Sequence, residues 1–428
     1  MSRFQLRATP PGGDTQYREG RAGVRYSCGT SWSTLLADLS TPYQDDAWDL
    51  DTLLIHGWSE PNADGAIVPP IHPASTFIRS HIDDAARYQY ARRANPTRDA
   101  LESLLAGLEH GESASAFSSG MAAISAVLQL LSAGDRAVVG YDSYLSTYHL
   151  FTNDLPRYGV EADFVDLSDL EAVHAAIKPN TRLIWIETPT NPLLDIVDLK
   201  ALAEIASGIG ALSVVDNTLA SPYCQNPLDH GVDLVVHSTT KYLGGHSDLL
   251  GGAVTSNSEE LALRMADRQS HLGAIPSPFD SWLLMRGIRT LGVRMRRQMA
   301  NAQAVAEWLD DDPRVVRVFY PGLSDHPRHE LAHAQMPGGF GAMVSFEIRG
   351  GSEAARLVSQ RTALFRLATS LGGVESLVFP PTAWLETDPE LMAAIPKSPW
   401  AHHPGLNRLS IGIESDDDLI NDLDRALG

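Results

Sequence analysis

The sequence predicts an α/β fold built on a mainly parallel sheet, and two observations carry that expectation. Four short apolar runs, "RAVVGY", "RLIWIET", "ALSVVDN" and "DLVVHST", are separated by stretches of helical pattern. Residues apolar on successive positions suit strands covered on both faces, the environment between two helix layers. A third observation adds a smaller α+β domain at the C-terminal end. There "VVRVFYPG", "GAMVSFEIRGG" and "LNRLSIGIE" read as half-buried strands mixed with helices.

Taken in order, residues 1 to about 50 are rich in Gly, Ser, Thr and Asp with weak periodicity. They read as an arm with little core of its own. Leu101, Leu104, Leu105 and Leu108 then fall on one helical face, with Gly111 just past the expected stop. "MAAISAVLQLLSAGD" reads as a second helix ended by Gly134. After the four apolar runs, "SWLLMRGIRTLGVRMRRQMANAQAVAEWL" has a long helical pattern with little punctuation. The acidic "ESDDDLINDL" reads as the first turn of a C-terminal helix.

Composition excludes several function classes. A net charge of −20 over 428 residues argues against general affinity for nucleic acid or anionic membrane. Two cysteines, Cys28 and Cys224, build no disulfide framework, and no metal site is expected. The N-terminal stretch lacks a signal-peptide core and no apolar run approaches membrane-spanning length. A cytoplasmic enzyme or binding protein is expected.

Three segments carry candidate chemistry. In "FSSGMAAI", Ser118, Ser119 and Gly120 precede a helix, where free N–H groups and the helix dipole suit an anion. The same residues also make an ordinary Ser cap with a tight turn. "VVDNT" sets Asp216 at the carboxyl end of an apolar strand, the edge where open α/β sheets bind ligands. "ETPTNP" repeats this one strand earlier with Glu187 and Asn191. "HSTTKYLGGHSD" ends a strand in Ser238, Thr240 and Lys241, and no acidic residue lies within six positions of the lysine. The order of a P-loop is missing, whereas Schiff-base chemistry needs such a partly desolvated amine. A helix start for phosphate, an acid for a ring nitrogen and an amine for an aldehyde match the three handles of pyridoxal phosphate.

The chain resembles the Cys/Met-metabolism family of pyridoxal-phosphate enzymes, the cystathionine γ-synthase and γ-lyase group. The resemblance covers roughly residues 50 to 428 and rests on "YQYARRANPTRDALE", "FSSGMAA", "ETPTNPLLDIVDL", "VVDNTLASP", "HSTTKYLGGHSD", "SLGGVESL" and "RLSIGIE". It implies an aspartate-aminotransferase-like fold: an arm over residues 1–92 contacting a neighbouring subunit, a large cofactor domain over 93–299 and a small domain over 300–428. It implies pyridoxal 5'-phosphate held as an internal aldimine on Lys241, with Asp216 on the pyridinium nitrogen. Ser119, Gly120, Met121, Ser238 and Thr240 would take the phosphate, and Tyr144 would stack on the ring and act as an acid or base. Asn191 and Thr218 would lie near the ring. Tyr90 and Arg92 would reach the phosphate of the neighbouring subunit, which implies a homotetramer arranged as a dimer of dimers. Arg408, with Ser370 nearby, would clamp the α-carboxylate of a small amino-acid substrate, a bidentate task that suits guanidinium.

Several wall positions depart from the family. Leu145-Ser146-Thr147 follows the stacking tyrosine where Gly-Gly-Thr is common. Thr369 replaces a usual glutamate, His72 and Pro73 replace Tyr and Gln, and Ala383-Trp384 replaces a Met-Thr-His segment. Thr369 and Ser146 are therefore candidate substrate contacts. The expected activity is γ-elimination on a γ-substituted homoserine- or homocysteine-type amino acid, through a vinylglycine-type intermediate. The alternative is γ-replacement of the cystathionine γ-synthase or O-acylhomoserine sulfhydrylase type, which shares every residue up to the branch point. A third reading, a cofactor-binding protein without catalysis, is opposed by the presence of Lys241, Asp216 and Arg408 together.

Overall fold

A seven-stranded sheet forms the centre of the chain. The strands are β1 (Ser113–Phe117), β2 (Arg136–Gly140), β3 (Glu161–Val165), β4 (Thr181–Glu187), β5 (Leu212–Asp216), β6 (Leu234–His237) and β7 (Gly252–Ser256). Their spatial order is β1-β7-β6-β5-β4-β2-β3; β7 runs antiparallel to both its neighbours and every other pairing is parallel. The computed structural model describes residues 48–57, 65–81, 83, 86–387 and 399–428, so the expected arm over residues 1 to 50 lies almost wholly outside the described residues.

The four apolar runs are β2, β4, β5 and β6, and both faces of the sheet are covered as their composition requires. Phe117, Val139, Trp185, Val214 and Val236 pack on one side, together with residues of helix Gly120–Leu128. Val138, Ile184, Ile186 and Val215 pack on the other, against helix Leu199–Ile209. Burial of these two apolar layers contributes to the driving force for the fold. Helix Pro96–Leu108 buries Leu101, Leu104, Leu105 and Leu108 as expected, and Asn95 caps it by accepting from the N–H groups of Thr97 and Arg98.

Two helix expectations are corrected. The helix beginning at Gly120 stops at Leu128, not near Gly134, because the N–H groups of Leu130 and Leu131 bond back three residues to Val127 and Leu128. The long pattern after residue 280 is two helices, Pro278–Ile288 and Leu291–Asp310. At the break, the Gly287 carbonyl accepts from the Arg294 guanidinium (3.0 Å) and the Thr290 hydroxyl (3.0 Å). A Cβ at Gly287 would sit 2.3 Å from the Gly244 carbonyl oxygen, so the glycine permits the close approach there. The second of these helices runs through the 299/300 division expected between large and small domains.

A second, five-stranded sheet follows: β8 (Val315–Phe319), β9 (Met343–Ile348), β10 (Arg366–Leu367), β11 (Leu377–Phe379) and β12 (Leu406–Ser410), in the order β10-β11-β12-β9-β8. Its pairings are antiparallel except β10 with β11. β12 is buried along its whole length, where half-burial was expected; helix Gly351–Arg361 covers it on one side and the pocket described below lies on the other. The C-terminal helix Asp416–Leu427 opens with three aspartates, favourable at the positive end of its dipole.

Candidate active site

Three neighbouring parallel strands end together on one side of the seven-stranded sheet. β4 ends in Glu187, β5 in Asp216 and β6 in His237, followed by the turn that carries Ser238, Thr240 and Lys241. Glu187 and Asp216 are direct register partners, so two buried carboxyls share one wall.

Asp216 is held by its own turn. Its Oδ1 accepts from the Thr218 amide (3.1 Å) and the Thr218 hydroxyl (2.5 Å), and that hydroxyl accepts from the Ser238 amide (2.9 Å). Burial raises the Asp216 pKa, while the two Thr218 bonds, His237 and Lys241 oppose the rise. Behind the strand end, Glu109 bonds both the His237 ring and the Asn217 amide (2.9 Å), and Gln225 continues the network to Asn217 (2.9 Å). Buried networks of this kind fix geometry, because movement leaves more polar groups unpaired, although the second Glu109 carboxylate oxygen is itself buried without a partner among the described residues. Glu187 lies well above the usual carboxylate range, through burial first and the Asp216 charge second. Its Oε2 accepts the Tyr144 N–H (2.7 Å), anchoring the start of helix Leu145–His149.

Lys241 faces this wall. Its Nζ donates to the Ser370 hydroxyl (2.8 Å), and burial, with the Arg408 charge adding to it, lowers its pKa to about 8. Ser370 has φ of +91°, a left-handed conformation unusual for a residue with a Cβ. Its carbonyl accepts from Arg408 Nη2 (3.0 Å), while Arg408 Nη1 donates to Asn191 Oδ1 (3.1 Å). The Arg408 Nε is buried without a partner among the described residues. Burial lowers the Arg408 pKa only to about 10, so the guanidinium stays charged at neutral pH.

The groups enclose a cavity of about 540 Å³. Its floor includes the first turn of helix Gly120–Leu128, where the Ser119 hydroxyl caps the Ala122 N–H (3.1 Å). The N–H groups of Gly120 and Met121 point out of that turn without intrahelical acceptors. A Cβ on Gly120 would lie 2.9 Å from Ser238 Cβ, so only glycine lets the helix start meet the lysine turn this closely. Ser119, Gly120, Met121, Tyr144, Ser146 and Asn191 line the cavity, as do Asp216, Thr218, Ser238, Thr240, Lys241, Thr369, Ser370 and Arg408. The Thr240 hydroxyl is engaged with the Gly251 backbone (3.0 and 3.3 Å). Tyr90 and Arg92 do not line the cavity. Arg92 donates to the Ser270 carbonyl (2.7 Å) and lies 5.5 Å from the Tyr90 ring, which is half exposed.

The family model for Cys/Met metabolism PLP-dependent enzymes matches residues 51–428. The chain belongs to this family. It is 49% identical over 380 residues to a cystathionine γ-synthase of Mycobacterium tuberculosis, an overlap of 88% of this chain and 96% of that protein. It is 47% identical over 380 residues to a cystathionine γ-lyase of Bacillus subtilis, covering 88% of this chain and 98% of the relative. The crystal structure of metB from Corynebacterium glutamicum superposes with a TM-score of 0.85 at 45% identity, covering 89% of this chain and 98% of that one.

As a member of the family the protein is a PLP-dependent trans-sulfuration enzyme, of synthase or lyase type. The residues present fit the cofactor. A free helix start with the Ser238 hydroxyl beside it could hold the phosphate, and Asp216 could hold the ring nitrogen. Lys241 supplies the amine. Reasoning from the sequence left several contributors unassigned. Glu187 was noticed only as a strand end, and its register with Asp216 would have marked it. Phe379 and Trp400 also line the cavity, and nothing local in their sequence signals it.

Proposed function

We propose that the protein is a lyase that eliminates a γ-substituent from a homoserine- or homocysteine-type amino acid, releasing ammonia and an oxo acid. One observation carries elimination over replacement by an amino-acid thiol. Among the described residues the cavity offers two cations, Lys241 and Arg408, and two carboxyls, Glu187 and Asp216. Arg408 suits the α-carboxylate of one amino acid; no second cation and no free carboxylate remain for the zwitterion of an amino-acid thiol. Water needs neither.

The bound cofactor supplies an electron sink for charge developing at the substrate Cα. The chain's own residues do the rest. Arg408 holds the substrate carboxylate through a guanidinium already oriented by Ser370 and Asn191. Lys241, with its pKa lowered to about 8, is matched to accept and return a proton near neutral pH. The Ser370 hydroxyl, 2.8 Å from Nζ, sets the direction of that amine. Asp216, whose Oδ1 is held by the Thr218 amide and hydroxyl, would pair with the protonated ring nitrogen. Tyr144 stands at the cavity edge, its backbone tethered by Glu187, placed to cover the ring.

We further propose a cytoplasmic homotetramer, with the arm over residues 1–92 contacting a neighbour and Tyr90 and Arg92 reaching its phosphate. Supporting this, neither residue lines its own cavity, and Arg98 holds their segment by donating to the carbonyls of Ala91 (2.8 Å) and Arg93 (2.7 Å). No helix among the described residues is long and apolar enough to cross a membrane.

γ-Replacement is the second reading, favoured by the similarity to the Mycobacterium synthase. Incubation with candidate amino acids, assaying ammonia and oxo acid with and without an added thiol, separates the two. Product without thiol supports elimination. Turnover only when thiol is added, with a thioether as product, would overturn it.

A further inference from the structure

We propose that the enzyme's preferred substrates carry an uncharged, apolar group on the γ-heteroatom, of aromatic or bulky alkyl type, bound by an aromatic wall beyond Arg408. This rests on the elimination reading above and specifies its leaving group.

The wall begins at the carboxylate anchor itself. Phe379 and Arg408 are direct partners across β11 and β12, and the guanidinium carbon lies 5.5 Å from the Phe379 ring centroid. Trp384 continues from Phe379, with ring centroids 5.7 Å apart and planes at 53°. Trp400 lies deeper, in a cluster against which Leu145 and Tyr148 pack. All five side chains line the cavity, and Leu250 stands at its margin. Trp384 is 40% exposed and Leu250 66% exposed, and both line the cavity. Open aromatic surface beside a carboxylate anchor gains most by covering with an apolar ligand group.

Charge points the same way. A distal ammonium, such as cystathionine carries, needs a carboxylate that is free and ionised. Of the two carboxyls in the cavity among the described residues, Asp216 is bonded to Thr218 and Glu187 to the Tyr144 amide. The position expected to hold a glutamate carries Thr369, and Ser146 and Thr369 are uncharged. Among the described residues a zwitterionic distal half would meet indole and phenyl faces with no ionic partner, whereas a benzyl or butyl group loses nothing there.

The test compares two thioethers that share one Cγ–S bond, S-benzyl-L-homocysteine and L-cystathionine, on the holoenzyme. For the first, elimination with one water gives phenylmethanethiol, 2-oxobutanoate and ammonia; the C–S electron pair and a proton leave with sulfur. We expect kcat/KM for the benzyl substrate to exceed that for cystathionine by about tenfold or more, the scale on which one apolar group is discriminated. Trp384→Glu should narrow that ratio by about tenfold, because it removes indole surface and adds the missing carboxylate. A ratio at or below one, or a ratio unchanged in the variant, would overturn the proposal. If neither compound is turned over, the elimination reading fails on its own. Calorimetric binding to the holoenzyme then decides the wall: tighter binding of the benzyl compound supports it, and equal or weaker binding overturns it.

Discussion

Glu187 and Asp216 close adjacent parallel strands in direct register, and burial together with the Asp216 charge holds the Glu187 carboxyl well above the usual carboxylate range. Asp216 has two bonds from Thr218 and the nearby positive charge of Lys241 to sustain its ionised form. Glu187 has one amide donor, from Tyr144. Like charges disfavour one another's ionised form, and Asp216 has more groups opposing its rise than Glu187 has. Glu187→Gln, neutral and still able to accept from Tyr144, should therefore keep kcat/KM within about threefold of the parent. Glu187→Ala leaves that N–H without its acceptor, with a loss of about 1–3 kcal/mol in stability. Steady-state kinetics and denaturant midpoints on the two variants check this.

Asp216→Asn removes the charge proposed to face the ring nitrogen while preserving the Thr218 contacts in outline. Turnover should fall about 10²–10³-fold, the scale for losing one pre-organised electrostatic partner. The chain should still fold and take up cofactor, visible as absorbance in the cofactor band. Near-normal turnover would place the ring elsewhere.

The Lys241 amine gives a pH signature in the cofactor-free protein. Its pKa of about 8 lies below the ordinary lysine value, and the neutral amine is the nucleophile. The rate of its reaction with added pyridoxal phosphate should rise with pH and level off above about 8, where an exposed lysine would continue to rise. Folding follows the same protons. Between pH 8 and the unfolded lysine value the unfolded chain binds more protons, so stability rises with pH across that window. Lys241→Met should abolish this slope, as read from urea midpoints.

At Ser370 the backbone and the hydroxyl separate cleanly. Its φ of +91° costs energy for any residue with a Cβ, while its Oγ accepts from Lys241. Ser370→Ala keeps the strain and loses the bond; Ser370→Gly loses the bond and relieves the strain. The glycine variant should be more stable than the alanine variant by about 1 kcal/mol, even with glycine's entropic penalty in the unfolded chain. Both should alter the pH profile of kcat, since both release Nζ.

Much of this was legible in the sequence for a physical reason. β2, β4, β5 and β6 are apolar on successive positions because helices cover both faces, and that burial leaves its mark residue by residue. β1, "SASAF", and β7, "GAVTS", pair with each other antiparallel and bury Ser115, Thr255 and Ser256. Small and hydroxyl side chains carry no such mark, so these strands went unread, as did the short β10 and β11 and the partly exposed edge strand β3. Asp216 and Lys241 were visible because each ends a legible strand. The partnership of Glu187 with Asp216 depends on register, and the aromatic wall depends on β11 lying beside β12. Neither is written in any local stretch.

The bond from Lys241 to Ser370 joins the seven-stranded sheet to chain that follows β10, and Arg408 comes from the five-stranded sheet as well. The reaction centre is thus a seam, complete in neither half. A fragment ending before β8 would carry the amine and the cofactor cradle yet have nothing with which to seize a carboxylate. On the proposed reading, substrate capture and chemistry are divided between two pieces of architecture, joined by that hydrogen bond.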